Sequence, residues 1–207
     1  MKVTLANIGK KFNRQWIFKD IDWEFKLNET VALVGNNGSG KSTLLQIIYN
    51  FQTYSKGSIL YELDGKVLGE EELVGKISLA APYLELLEDF TLMEMLTFHF
   101  NMISVQPEIT LASMIEACGL VGQENKPVKY FSSGMKQRLK LVMAIFAQTP
   151  LLLLDEPCSN LDEQGINWYR DLMKTQLGKR TILIASNQSF EYDFCDAELS
   201  LLNYKNK

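Results

Sequence analysis

The feature that most constrains this chain is a glycine-rich segment between a buried strand and a helix. Residues 35–42 read Gly-Asn-Asn-Gly-Ser-Gly-Lys-Ser and satisfy the spacing G-x-x-x-x-G-K-[S/T]. The apolar run Val31–Val34 precedes them, and a helical pattern follows over residues 43–50. Glycines let successive backbone N–H groups turn toward one phosphate group, and the following helix adds positive potential at its N-terminus. The sequence therefore predicts a phosphate-binding loop.

The loop also supplies groups for a nucleotide triphosphate and its metal ion. Lys41 would place a positive charge near the β- and γ-phosphates, and the hydroxyl of Ser42 would be a ligand for Mg²⁺. A glycine-rich loop that only connects a strand to a helix is the alternative, but it leaves the lysine and the hydroxyl unexplained. The predicted nucleotide-binding residues of this segment are Gly35, Asn36, Asn37, Gly38, Ser39, Gly40, Lys41, Ser42 and Thr43.

Two carboxylates follow another buried run. The residues Leu151–Leu154 are all leucine, and Asp155, Glu156 and Pro157 come directly after them. Ligands of an open α/β sheet bind at the carboxyl ends of its strands, so both acids are expected at the phosphate site. Asp155 would hold Mg²⁺, and Glu156 would act as the general base toward the attacking water. A strand that ends in two solvated acids is the alternative.

Composition and charge exclude several classes of protein. Of the 207 residues, 46% are hydrophobic and 22% are charged, a balance that favours a buried core over disorder. No apolar run approaches the roughly 20 residues that cross a bilayer, and the N-terminus lacks the apolar stretch of a signal peptide. The net charge of −4 argues against nucleic acid as a partner. The widely spaced Cys118, Cys158 and Cys195 fit reduced thiols and a cytoplasmic location.

Hydrophobic periodicity divides the chain into regions. The first 70 residues are rich in strand patterns, and Asp64 with Gly65 predicts a hairpin turn. A helical period begins at Thr91, where Thr91 and Glu94 form the pattern of a capping box, and it continues to about Ala147. The helices expected in its later part cover Ile109–Cys118 and Met135–Ala147.

The C-terminal region predicts parallel strands. The apolar runs Leu151–Leu154 and Thr181–Ala185 flank a helical pattern over Glu163–Leu177, which Gly178 would terminate. Short apolar runs separated by a helix are typical of central strands covered on both faces. We predict one domain with a core lobe at about 1–82 and 148–207, and a helical lobe at about 83–147.

Together these motifs resemble the nucleotide-binding subunit of an ABC (ATP-binding cassette) ATPase over nearly the whole chain. Residues Phe131–Met135 read FSSGM at the place of the family's signature, usually LSGGQ, and Ser159–Asp162 resembles its D-loop. The resemblance implies an α/β fold of the P-loop NTPase (RecA-like) class with a mixed sheet, an N-terminal antiparallel β subdomain and a helical lobe that carries the signature. It also implies ATP and Mg²⁺ as cofactors.

The resemblance further implies a head-to-tail dimer. Each ATP of the family lies between the phosphate loop of one subunit and the signature of the other, so Ser132, Ser133 and Gly134 would contact the ATP bound by a second subunit. A helix start with free backbone N–H groups is a suitable anion site. Without the other motifs, a serine-capped helix with a glycine in its first turn would be the preferred interpretation of this segment.

Two positions depart from the family pattern. Family members carry a glutamine after the strand that enters the helical lobe, and this chain has Pro82 there, which has neither a side-chain amide nor a backbone donor. The family histidine after the last central strand is replaced by Asn187, which donates a hydrogen bond but does not take up a proton. The single histidine, His99, lies in the helical region and is interpreted as structural. We therefore expect ATP hydrolysis that is slow in the isolated subunit.

In the family an aromatic residue about two dozen positions before the phosphate loop stacks on adenine. Phe12 occupies that place. The nearby Trp16 and Phe18 are alternatives for the stacking ring, with Phe12 then belonging to the core.

The implied function is that of an ATP-hydrolysing subunit of an ABC transporter, held at the inner face of the cell membrane by a separate transmembrane permease subunit. The form of the signature and the short length resemble exporter-type cassettes, including those for haem and drugs. The functional dimer would contain either two copies or one copy with another ATP-binding subunit. A regulatory nucleotide switch with weak hydrolysis, or an ATPase of translation or DNA repair, is the alternative function.

Overall fold

A five-stranded parallel sheet forms the centre of the computed structural model, which describes residues 1–205. Its strand order is β6-β7-β8-β3-β9, and every neighbouring pair is parallel. All carboxyl ends therefore meet at one edge. The strands are β3 (Thr30–Val34), β6 (Ile77–Ala80), β7 (Leu151–Asp155), β8 (Thr181–Ser186) and β9 (Ala197–Ser200).

A separate antiparallel sheet is built mainly from the N-terminal residues, with strand order β2-β1-β4-β5. The predicted hairpin turn is confirmed, because Asp64 and Gly65 have φ of 52° and 77° and join β4 to β5. The strands are β1 (Lys2–Phe12), β2 (Gln15–Phe25), β4 (Lys56–Leu63) and β5 (Lys66–Leu68).

Five α-helices cover the parallel sheet and form the helical region. The capping box at Thr91 is confirmed, since its hydroxyl accepts from the Glu94 N–H and the Glu94 carboxylate accepts from the Thr91 N–H. The helices are α1 (Lys41–Ile48), α2 (Leu92–Met102), α3 (Leu111–Cys118), α4 (Ser133–Phe146) and α5 (Glu163–Lys174).

The last helix is shorter than its pattern predicts. Helix α5 ends at Lys174, three residues before the expected end at Leu177. The backbone N–H and the hydroxyl of Thr175 both donate to the Leu172 carbonyl, at 3.1 and 2.7 Å. This local bond tightens the final turn and competes with continuation of the helix.

The parallel sheet is buried on both faces, as its apolar runs predict. Along β7, Leu151 and Leu153 belong to the hydrophobic cluster that contains the antiparallel sheet and α1, whereas Leu152 and Leu154 belong to the cluster that contains α2–α4. All four leucines are fully buried. Because side chains alternate between faces, one strand joins both clusters, and truncating one of these leucines to alanine costs about 2–5 kcal/mol.

Two further findings concern the part of the chain that the structure describes. None of its helices combines the length and the apolar character needed to cross a membrane. Its cysteines, Cys118, Cys158 and Cys195, are all unpaired.

Candidate nucleotide-binding site

Three adjacent strands bring the predicted phosphate-site residues together. Strand β3 leads into the phosphate loop, β7 ends at Asp155, and β8 between them leads to Asn187. The register pairs Val34 of β3 with Ser186 of β8, and Asp155 with Ala185 of β8. Residues from sequence positions about 35, 155 and 187 therefore converge on one edge of the sheet.

The loop needs glycine at two positions for different steric reasons. Gly40, directly before α1, has φ of 100°, and a Cβ there would lie 2.6 Å from Cγ2 of Ile17 and 2.8 Å from the ring of Phe18. A Cβ on Gly35 would lie 2.6 Å from the Ser39 hydroxyl. Strand β2 of the antiparallel sheet therefore packs directly against the loop at Gly40, and only glycine allows this close approach.

The amine of Lys41 is held by the loop itself. It donates to the carbonyl oxygen of Gly35 at 2.8 Å and to that of Asn36 at 3.4 Å, and the lysine is 5% exposed. Burial lowers the pKa of Lys41, while the carboxylates of Glu156 and Asp155 oppose that shift. A cation is therefore fixed at the base of the loop, while Asn36, Asn37 and Gly38 at its tip are exposed.

Asp155 is a buried carboxylate whose oxygens lack well-formed hydrogen bonds. Its exposed fraction is 1%, and neither oxygen accepts a hydrogen bond of normal geometry within residues 1–205, although the Ser42 hydroxyl is near enough to affect its pKa. Burial raises the pKa of Asp155 to about 6, against the opposing effects of the Ser42 hydroxyl and the Lys41 ammonium. An uncompensated buried carboxylate is costly, and hard divalent cations prefer oxygen ligands of this kind. The donor set of Asp155 with Ser42 therefore fits Mg²⁺.

Glu156 sits on a strained turn at the end of β7. Its φ of 43° lies in the left-handed region, which costs a non-glycine residue about 1–3 kcal/mol. Its N–H donates to the Ala185 carbonyl at 2.9 Å, and its own carbonyl accepts from the Ser159 N–H at 3.0 Å. The Ser159 hydroxyl lies 3.4 Å from the Glu156 carboxylate. Several bonds thus hold the strained turn, a pattern typical of functional residues.

Asn187 contacts the phosphate loop directly. Its side-chain amide donates to Oδ1 of Asn37 at 2.9 Å, and both residues are exposed at the rim of the site. The residue at the family's histidine position therefore reaches the predicted nucleotide site.

Pro82 lies in a turn attached to the signature helix. The Leu84 N–H donates to the Ala81 carbonyl at 3.2 Å, and the amine of Lys140 in α4 lies 3.0 Å from the Pro82 carbonyl. The segment at the missing glutamine is therefore linked to α4 through its backbone. The other unusual residue, His99, lies in α2, where burial lowers its pKa.

The aromatic candidates for adenine stacking differ in exposure. Phe18 is fully buried in the core, whereas the Phe12 ring is 45% exposed at the end of β1. The amine of Lys10 lies 4.9 Å from the centre of the Phe12 ring. The structure thus leaves Phe12 accessible and removes Phe18 from the candidates.

The signature segment lines a cavity of about 390 Å³. Ser132 caps α4, with its hydroxyl accepting from the Met135 N–H at 3.2 Å, and Ser133 is exposed. A Cβ on Gly134 would lie 3.1 Å from the carbonyl oxygen of Asn160, so the signature packs tightly on the segment that resembles the D-loop. The cavity is also lined by residues 118–120 and 160–162, and by Arg138. The phosphate loop does not line it.

Sequence reasoning missed a buried acid near the carboxyl edge of the parallel sheet. Glu191 is 2% exposed, and its carboxylate accepts from the Cys158 N–H at 2.7 Å and binds the Ser186 hydroxyl. No motif of the sequence contains Glu191, and Cys158, which it holds, lies 33 positions away along the chain. A pattern search had no signal for it.

Comparison with known proteins now identifies the family. A family model described as ABC transporter matches residues 18–159. The lantibiotic transport ATP-binding protein SrtF of Streptococcus pyogenes is 31% identical over 186 residues, which cover 88% of this chain and 79% of the relative. This chain belongs to the ABC transporter ATP-binding proteins.

Two other matches agree with that assignment. The cytochrome c biogenesis ATP-binding export protein CcmA of Agrobacterium fabrum is 30% identical over 194 residues, which cover 90% of this chain and 88% of the relative. The structure of a putative ABC transporter ATP-binding protein from Pyrococcus furiosus has a TM-score of 0.83 over the full length of both chains, at 20% identity, and shows the shared fold.

The family assignment confirms several predictions. The α/β P-loop fold with an antiparallel subdomain is confirmed, although the two strand directions are segregated into separate sheets. The chain is an ATP-binding, ATP-hydrolysing subunit of the ABC transporter type, which acts with transmembrane subunits. The comparisons do not favour a regulatory switch, or a role in translation or DNA repair.

Proposed function

We propose that this chain binds Mg-ATP at the carboxyl edge of the parallel sheet and hydrolyses it between two copies of itself, driving a transmembrane permease. One observation supports this most. The buried amine of Lys41 is hydrogen-bonded to the phosphate loop near the Asp155 carboxylate, whose oxygens accept no hydrogen bond of normal geometry within residues 1–205. A fixed cation next to an uncompensated anion suits a ligand that brings both phosphate and a divalent metal ion.

Each group of the loop has a distinct task in this proposal. Backbone N–H groups of the loop and of the first turn of α1 bind phosphate oxygens, and Lys41 binds the β- and γ-phosphates. Ser42 and Asp155 would hold Mg²⁺. When bound, the metal ion neutralises negative charge that develops on the transferred phosphoryl group.

Glu156 would activate the attacking water. Its carboxylate accepts a proton from that water as the oxygen attacks the γ-phosphorus, the bond from this phosphorus to the β–γ bridging oxygen breaks, and ADP leaves with the electron pair. The strained turn fixes the direction of the Glu156 side chain. Asn187 donates a hydrogen bond near the γ-phosphate from its position beside Asn37. The exposed ring of Phe12 stacks on adenine.

The second copy completes the site. Ser132, Ser133 and Gly134 of one copy would bind the ATP held by the phosphate loop of the other. This arrangement is supported by the position of the signature cavity, which is lined by residues 160–162 and not by the phosphate loop of its own chain. Two copies of this chain are sufficient for a complete site, because each copy carries both a phosphate loop and a signature segment.

The transmembrane partner would bring the chain to the inner face of the membrane. The names of its relatives SrtF and CcmA specify transport and export, and we extend export to this chain. Pro82 and Asn187 replace an amide and a proton-accepting ring, so we expect slow hydrolysis in the absence of the partner.

The catalytic assignment is tested by Glu156→Gln with Glu163→Gln as the matched control. Glu163 is an exposed acid in the first turn of α5. We expect Glu156→Gln to lower kcat about 100-fold or more while Mg-ATP still binds, because a general base typically raises a reaction rate by about 100-fold or more. We expect Glu163→Gln to change kcat less than about twofold. Hydrolysis unchanged by Glu156→Gln would refute the assignment.

The partner assignment is tested by affinity purification from detergent-solubilised native cells, followed by mass spectrometry. We expect a multi-helix membrane protein in near-equal amount with the chain. Recovery of only soluble proteins or ribosomes would refute the transport proposal.

A further inference from the structure

Glu191 lies at the catalytic edge, in a short 3₁₀ turn, Ser189–Glu191, that follows β8. The carboxylate is almost entirely buried, and both of its oxygens are hydrogen-bonded. A buried carboxylate with a complete set of donors is a rigid point in a structure, because moving it breaks bonds that water does not replace.

One oxygen of this carboxylate holds the turn of the general base. Oε1 accepts from the backbone N–H of Cys158 at 2.7 Å. Cys158 lies two residues after Glu156, inside the turn closed by the bond from the Ser159 N–H to the Glu156 carbonyl. Glu156 has a left-handed backbone that relaxes unless its surroundings fix it. The bond to Cys158 is one of those that fix it.

The other oxygen holds the segment after β8. Oε2 binds the hydroxyl of Ser186, and the same hydroxyl accepts from the Gln188 N–H at 2.9 Å. Asn187 lies between these two residues and donates to Asn37 of the phosphate loop. The carboxylate therefore fixes, on its two sides, the backbones that carry Glu156 and Asn187.

We propose that Glu191 is a positioning residue for ATP hydrolysis, a buried bridge that sets Glu156 and Asn187 at a fixed separation around the γ-phosphate. The proposal rests on the proposed role of Glu156 as the general base. Glu191 itself does not touch ATP. Because misplacement of a reacting group by about 1 Å can lower a rate about 100-fold, a small relaxation of either backbone is sufficient to affect turnover.

Two substitutions of Glu191 distinguish the effect of its hydrogen bonds from the effect of its negative charge. Alanine removes both bonds, and we expect Glu191→Ala to lower kcat at saturating ATP at least about 10-fold while the Kd for Mg-ATP changes less than about threefold. Glutamine retains an acceptor for the Cys158 N–H and gains an amide that can donate to Ser186. We therefore expect Glu191→Gln to keep at least about a third of the wild-type kcat.

Tyr169→Phe is the matched control for a purely structural effect. The Tyr169 hydroxyl is buried and donates to the backbone carbonyl of Glu191 at 3.1 Å, so phenylalanine removes one hydrogen bond from the same turn without touching the bridge. We expect a loss of thermal stability with kcat changed less than about twofold. Ser186→Ala breaks the bridge from its other end, and its effect on kcat is expected to be non-additive with that of Glu191→Ala.

The measurement is steady-state hydrolysis by the full-length chain, with ATP affinity determined by calorimetry. The proposal would be overturned if Glu191→Ala left kcat unchanged, or if Tyr169→Phe lowered kcat as much as Glu191→Ala does. It would also be overturned if the Kd of Glu191→Ala for Mg-ATP rose by the same factor as its kcat fell. Glu156→Gln separates this outcome from failure of the proposed function. If Glu156→Gln abolishes hydrolysis and Glu191→Ala leaves it intact, the bridge alone is refuted, whereas an active Glu156→Gln refutes the general base first.

Discussion

The two proposed anion sites of this chain lie at the starts of α1 and α4, which are capped in different ways. Helix α1 starts after Gly40, which offers no side-chain cap, so the first N–H groups of α1 are directed toward the phosphate loop. Helix α4 starts after Ser132, whose hydroxyl satisfies the Met135 N–H. A helix end without a cap needs a ligand, whereas a capped end is stable in water.

The starts of α1 and α4 also differ in how deeply their surroundings are buried. Around α1 the buried cation that follows β3 meets two carboxylates from the end of β7, and Lys41 and Asp155 are almost fully buried. Around α4 the exposed Ser132 and Ser133 lie at the mouth of an open cavity. On the proposed function, the first site holds ATP in a single chain, and the second contributes only when another copy approaches.

The largest expected effect breaks the first site. Lys41→Ala removes the buried cation, and each charged hydrogen bond to phosphate is worth about 1.5–3 kcal/mol, so we expect the affinity for Mg-ATP to fall at least about 100-fold. Lys56→Ala is the control, since Lys56 is an exposed lysine paired with Asp20 on the antiparallel sheet. Calorimetric titration of the single chain is the measurement, and similar affinities for both variants would contradict the assignment.

The next prediction concerns the second site. Gly134→Asp introduces a negative charge where the other copy's phosphates would lie, and we expect hydrolysis at saturating ATP to fall about 30-fold, a loss in the range of one or two charged contacts. The ATP affinity of the single chain should remain within about twofold, because the signature does not contact its own loop. A parallel loss of affinity would show that the two sites are not separate.

The charge of Asp155 predicts a pH dependence of the first site alone. Its pKa is raised to about 6, so the stability contributed by the protonated carboxyl is complete below its ordinary value of 3.8 and is lost as pH rises through 6. Without nucleotide, the melting temperature of Asp155→Asn relative to wild type should rise by about 5 °C between pH 4 and pH 8. Stabilisation of the wild type by Mg-ATP should increase over the same range. A difference that does not vary with pH would refute the assignment.

Adenine stacking has a smaller expected effect. Phe12→Ala should weaken ATP binding about 5- to 10-fold, since base stacking on an aromatic ring is worth about 1–3 kcal/mol and the ring is half-exposed. Trp16→Ala is the comparison, and a larger loss in that variant would transfer the stacking role to Trp16. Titration of each variant with Mg-ATP gives the answer.

The smallest effect concerns the departure from the family at position 187. We expect Asn187→His to raise kcat about two- to fivefold, because a histidine at that position both donates to the γ-phosphate and takes up a proton. A decrease would indicate that the bond from Asn187 to Asn37 is worth more to turnover than a proton-accepting ring. Asn187→Ala, which removes the bond without adding a ring, separates the two contributions.

The phosphate loop was predictable because its chemistry is local. Its glycines, Lys41 and Ser42 lie within one short segment, and the conformation of Gly40 follows from the same pattern. The carboxyl-edge location of Asp155 and Glu156 followed from one topological rule for parallel sheets. The phosphate loop and the position of the two acids could therefore be predicted from short segments of sequence.

The contacts between segments were not predictable in this way. The bond from Asn187 to Asn37 joins residues 150 positions apart, and Glu191 meets Cys158 from 33 positions away. Such pairs depend on strand order and register, which periodicity does not specify. The early end of α5 was missed because a single hydroxyl, that of Thr175, competes with the helical hydrogen bonds.

The most direct test of the account mixes two inactive variants of the full-length chain. Lys41→Ala has a defective loop and an intact signature, and Gly134→Asp has the reverse. In a symmetric pair each copy contributes one half to each site, so a mixed dimer contains one site with both intact halves, and random mixing should restore about a quarter of wild-type hydrolysis. Recovery of activity on mixing is the predicted result. Hydrolysis that stays at the sum of the two separate variants would contradict the claim that ATP is hydrolysed between two copies of this chain.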